Sequence, residues 1–145
     1  MINELEKLTM QEQELLFKAP VLVSVLAASG DHEIDKKEKA EAIKLAHLKT
    51  FTAHSLLIPY YKEVENNFNV NFEETIKKYA PFDNEKRMAL KEEINVLETI
   101  IEKLDKDFAN MLHKSLAGYA EHVRKADASL LEGFIFPIPI RGLTD

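Results

Sequence analysis

The chain has 145 residues, 46% of them apolar and 30% charged, with a formal charge of −6 and no cysteine. That composition supports one domain with one core and argues against disorder. It excludes disulfides, thiol catalysis and cysteine-based metal centres. It also argues against nucleic acid as a partner, because Lys36, Lys37 and Lys39 alternate with Asp35, Glu38 and Glu41 instead of forming a basic track.

Four glycines and five prolines are too few for the turns of a sheet protein. The expectation is all-α: residues 1–145 as a single domain, a compact bundle of about six or seven helices. Residues Met1 to Lys7 have no signal-peptide core, and the most apolar stretch, Leu15 to Ala28, contains Lys18 and is shorter than a membrane span. A cytoplasmic protein without a membrane span is expected.

In chain order, residues 4–8 suit a short first helix. Thr9-Met10-Gln11-Glu12 is a capping box that starts a helix from Met10 to about Ser29. Apolar residues from Leu15 to Ala28 cover its whole circumference, which marks a central helix. Pro20 lies inside it and predicts a kink, and Gly30 is placed to end it in the left-handed conformation. Asp35-Lys36-Lys37-Glu38 is a second capping box, leading to a helix to about Lys49 with Ala40, Ile43, Ala46 and His47 as its inner stripe.

A further helix is predicted over roughly 52–66, where Leu56, Leu57, Tyr60, Tyr61 and Val64 recur at helical spacing and Pro59 bends the helix or delays its start. The run from Asn66 to Asn71 reads as a loop, with Asn71 capping a short helix to Tyr79 and Pro81 closing the segment. The tyrosines suit core edges, ring buried and hydroxyl wet. From Asn84, the residues Leu90, Ile94, Leu97, Ile101, Leu104, Phe108 and Met111 form a heptad stripe. One helix from 84 to 126 would be roughly 60 Å long, so a break is predicted at Asp105-Lys106-Asp107. The tail, 133–145, holds Phe134-Ile135-Phe136-Pro137-Ile138-Pro139-Ile140. It cannot be helical and is expected to lie extended, across the domain's own helices or against a second copy or partner.

The chemistry concentrates in one turn. Asp31, Glu33, Asp35 and Glu38 place four carboxylates within eight residues, an oxygen-rich ligand set for a hard cation such as Ca²⁺ or Mg²⁺. It is not an EF-hand loop: the sixth position from Asp31 is Lys36 and the twelfth is Ala42. Helix starting explains the same residues without a metal, since carboxylates are favoured near a helix N-terminus.

The run Val25-Leu26-Ala27-Ala28-Ser29-Gly30-Asp31-His32-Glu33-Ile34-Asp35-Lys36-Lys37-Glu38 resembles the signature of the TerB-like (tellurite-resistance) helical family. Asp31, Glu33, Ile34, Asp35 and Glu38 match position by position, whereas His32 stands where the family has glycine. The stretch around Asp127, from Val123 to Leu130, is similar to the family's second, weaker copy of the motif. The resemblance implies a small non-enzymatic module that binds a divalent cation or a protein, is linked to tellurite and chemical stress, and has Asp31, Glu33, Asp35, Glu38 and Asp127 as the metal site.

Enzyme signatures are missing from the sequence. Neither a Glu-x-x-His pair nor a His-Glu-x-x-His zinc motif occurs, and there is no glycine-rich phosphate loop or nucleophile elbow. His47 and His54, with Glu41, are spaced so that they could make a transition-metal site, but they read more readily as partly exposed or hydrogen-bonded helix residues. The alternative to a cation module is a homo-oligomeric interaction protein assembling through the heptad stripe and apolar tail.

Overall fold

The computed structural model of the chain describes residues 3–29 and 36–125. After a 3₁₀ helix, Asn3–Lys7, come seven α-helices: α1 (Met10–Phe17), α2 (Ala19–Ala28), α3 (Lys36–Thr52), α4 (Ile58–Asn66), α5 (Phe68–Tyr79), α6 (Asn84–Ile101) and α7 (Lys106–Lys125). There is no strand among the described residues, so the all-α bundle is as the composition implies.

The predicted capping box forms in full. The Glu12 N–H donates to the Thr9 hydroxyl at 3.1 Å, and the Thr9 N–H donates to Glu12 Oε1 at 2.9 Å. Buried Gln13 pins the preceding 3₁₀ helix by donating to the carbonyls of Leu5 and Leu8. The kink predicted at Pro20 is a complete break at Lys18, with Pro20 in the first turn of α2, where its missing N–H costs least. In an uninterrupted helix the Leu16 carbonyl would take the N–H of residue 20. Here the Tyr60 hydroxyl donates to it, at 2.7 Å, alongside a cap N–H.

Helix α2 is buried on every side and packs against α1, α3, α5, α6 and α7. This central position is the one its unbroken apolar circumference predicts. Around it runs an aromatic seam. Tyr60 stacks on Phe17 and meets Tyr61 edge-on at 5.1 Å, Tyr61 stacks on Tyr119 at 6.4 Å, and Tyr119 continues to Phe68 and Phe72. Tyr60, Tyr61 and Tyr119 are fully buried, hydroxyls included, which corrects the expectation of wet hydroxyls. Burial at no exposure is tolerated because each hydroxyl has an internal partner: the Leu16 carbonyl, Ser115 Oγ and the Ala42 carbonyl respectively.

Three boundaries differ from the sequence reading. Helix α3 continues to Thr52, and Pro59 delays the next helix to Ile58 instead of bending it. The predicted loop 66–71 is helix on either side of the single residue Asn67, because Phe68, Phe72, Thr75 and Tyr79 form a buried stripe that outweighs the turn preference of the asparagines. The inner face of α3 is Glu38, Ala42, Ala46 and Thr50; Ala40 and His47 are exposed, and Ile43 is 37% exposed.

The break near Asp105 occurs as predicted. The Asp105 carbonyl accepts the Ala109 N–H and its side chain the Asp107 N–H, while its own N–H donates to Glu4 Oε1 at 2.7 Å. The heptad residues Leu90, Ile94, Leu97, Ile101, Leu104 and Phe108 are all buried within the domain, and Met111 is partly so. Gly30, with its expected left-handed cap, the Asp35 capping box and the extended tail 133–145 lie outside the described residues.

Candidate functional site

Helix α2 ends on the buried Ser29, whose hydroxyl and N–H both donate to the Leu26 carbonyl, at 3.0 and 3.3 Å. The acidic turn follows, and the chain is described again from Lys36. Of the five residues predicted to form a metal site, Asp31, Glu33, Asp35 and Asp127 lie outside the described residues. Glu38 lies inside them, in the first turn of α3, with 0% of its surface exposed. A carboxylate is costly to bury unless it is engaged, and Glu38 is engaged within the fold. The N-terminal end of α3 also favours its negative charge. Its neighbour Lys39 is turned away, bonded to Glu73 of α5.

The last described turns of α7 reach the same place. The last turns of α7 lie beside the first turns of α3, held by His122 Nε2 to Glu41 Oε2 at 2.9 Å and by the Tyr119 hydroxyl on the Ala42 carbonyl. The last described residue of α7, Lys125, is two positions before Asp127 in the sequence, and α3 is described from one position after Asp35. Glu41 and His122 were not legible as partners in the sequence, since 81 residues separate them and only helix packing pairs them.

The histidines do not assemble. His47 Nδ1 bonds Glu65 Oε2 at 2.5 Å and lies edge-on to Phe51, Glu41 is taken by His122, and His54 Nδ1 accepts the Leu56 N–H at 3.2 Å. The reading of these histidines as hydrogen-bonded residues holds, and the transition-metal grouping with Glu41 does not form: the three side chains have separate partners. His113 is half-buried, and burial pushes its pKa down, opposed by the charge of Glu102. Among the described residues, no three His, Asp or Glu side chains are placed to hold a metal ion. Nor is any helix among them long and apolar enough to cross a membrane.

Comparison with family models, with curated proteins and with solved structures gives no match.

Proposed function

We propose that the chain is a TerB-like, non-enzymatic helical module that binds a divalent cation, Ca²⁺ or Mg²⁺, through the acidic turn between α2 and α3. Asp31, Glu33 and Asp35 supply oxygen ligands from the turn, Glu38 from the first turn of α3, and Asp127 from the segment after α7. The observation that carries this reading is the wholly buried carboxylate of Glu38 at the end of the bundle where the last described turns of α7 lie beside α3. A turn with three further carboxylates beside a fourth that is already desolvated concentrates negative charge, and a hard cation neutralises it. A role in tellurite or chemical-stress response, or in docking a protein partner, follows from the resemblance.

Isothermal titration of the full chain with Ca²⁺ and Mg²⁺, with thermal melts in parallel, tests the proposal. Binding heat is expected for one of the two ions, abolished by Asp31→Asn and weakened by Asp127→Asn. Absence of heat and of any shift in melting temperature at millimolar cation overturns it. So does an unchanged affinity in Asp31→Asn. The alternative of assembly through the heptad stripe gains nothing from the structure, because the stripe is consumed inside the domain.

A further inference from the structure

Away from the acidic turn, the last turn of α3 and the residues after it face the first half of α7 across an open cleft of about 360 Å³. From the α3 side come Lys49, Thr52, Ala53 and His54; α7 contributes Met111, Lys114 and Ser115. In a chain of net charge −6, this cleft has two lysines and a histidine in its wall and no carboxylate among the described residues. Neither Lys49 nor Lys114 makes an ion pair among the described residues.

We infer that this cleft is a binding site for a small phosphomonoester. Its dianionic phosphate sits between the Lys49 and Lys114 ammonium groups, and its organic part rests on Met111 and Ala53.

Charge selects phosphate over carboxylate. A phosphomonoester carries about −1.5 to −2 at neutral pH and matches two ammonium groups, whereas a carboxylate leaves one unneutralised. The C-terminus of α3 opposes an anion with only about half a negative charge, which two full positive charges outweigh. Lys49 is half-buried, and burial alone pulls its pKa down; a bound dianion reverses that effect.

The neutral groups fit the same ligand. His54 Nδ1 accepts the Leu56 N–H, so in the neutral ring Nε2 carries the proton and donates to the phosphate. Ser115 Oγ is bonded to the Tyr61 hydroxyl, whose proton is held tightly because burial raises the phenol pKa. Where Tyr61 is the donor in that bond, the Ser115 proton is left for the anion. Thr52 donates to the Leu48 carbonyl, so it serves as wall and not as donor. The cleft falls within the usual size range of small-molecule sites, roughly 300–1,000 Å³.

Titration of the full chain with phenyl phosphate, and separately with benzoate, tests the inference in wild type, Lys49→Met, Lys114→Met and, as a remote control, Lys91→Met. Methionine keeps the length of the stem, and Lys114 is exposed, so that variant retains the fold. The expected result is saturable binding of phenyl phosphate, weakened at least about tenfold by either cleft variant and unchanged by Lys91→Met. Absence of binding to wild type overturns the inference. It is also overturned by equal loss in Lys91→Met, by retention in both cleft variants, or by benzoate binding as tightly as phenyl phosphate.

Discussion

Replacing Tyr60 by phenylalanine removes one oxygen from the centre of the bundle and leaves its ring contacts intact. The ring keeps its stacking on Phe17 at 5.7 Å and its edge-on contact with Tyr61 at 5.1 Å, so the change isolates the hydroxyl. That hydroxyl donates to the Leu16 carbonyl at 2.7 Å, where Pro20 cannot. A buried acceptor that loses its side-chain donor costs about 1–2 kcal/mol. For a domain of this size, the loss lowers Tm by about 2–8 °C. Urea denaturation gives the cost from the shift in midpoint at constant slope. The reasoning makes a sharper claim about Pro20→Ala. An alanine there supplies an N–H that an unbroken helix would aim at the same carbonyl, so Tyr60→Phe should cost distinctly less in that background. A double-mutant cycle cancels the packing that Pro20→Ala itself loses. Equal costs of Tyr60→Phe in the two backgrounds would refute the idea that the tyrosine stands in for the missing amide.

Thr9→Ala removes half of the capping box at α1 and should destabilise the fold by about 1 kcal/mol, read by the same urea titration. Gly118→Ala should stabilise it by about 0.5–1 kcal/mol, because Gly118 lies inside α7, a Cβ there meets nothing within 4 Å, and alanine is the better helix former; a lowered Tm would count against that account. Acid should loosen the seam between the N-terminal segment and the α6–α7 turn. The Lys7 ammonium, then the Asp105 N–H, hold Glu4 below the usual carboxylate range, and Lys103, then the Thr9 N–H, do so for Glu12. A depressed carboxylate contributes stability that is present above the ordinary glutamate range and lost as pH falls through the lower folded-state value. The double variant Glu4→Gln, Glu12→Gln should therefore show a shallower loss of stability in that window than wild type, and identical acid profiles would exclude these contacts as the cause.

What the sequence made legible was local. The Thr9 cap, the apolar circumference of α2 and the Leu90-to-Phe108 stripe all follow from residues within a few turns of one another, and each stands where expected, while the kink expected at Pro20 is instead a break two residues earlier, at Lys18. Helix α3 was misread because two stripes share Ala46. One contains Ile43 and is the more apolar; the other contains Glu38, Ala42 and Thr50 and is the one buried. The small side chain of Ala42 lets α7 approach closely enough for the Tyr119 hydroxyl to reach its carbonyl, a gain that no pattern of hydrophobicity along α3 encodes.

The same distinction separates the two candidate sites. The acidic turn is visible in the sequence because its chemistry is contiguous: Asp31, Glu33, Asp35 and Glu38 announce themselves within one turn whatever surrounds them. The cleft is invisible there because its chemistry is assembled. Lys49 and Lys114 are 65 positions apart in the sequence, and each alone is an ordinary helix lysine. They become a pair only because the Tyr61 hydroxyl on Ser115 and the Tyr119 hydroxyl on Ala42 tie α7 to α4 and α3. Buried tyrosines thus fix the spacing between helices that bring two lysines to opposite sides of one cleft. Both lysines line an open cleft, where like charges cost little until an anion binds.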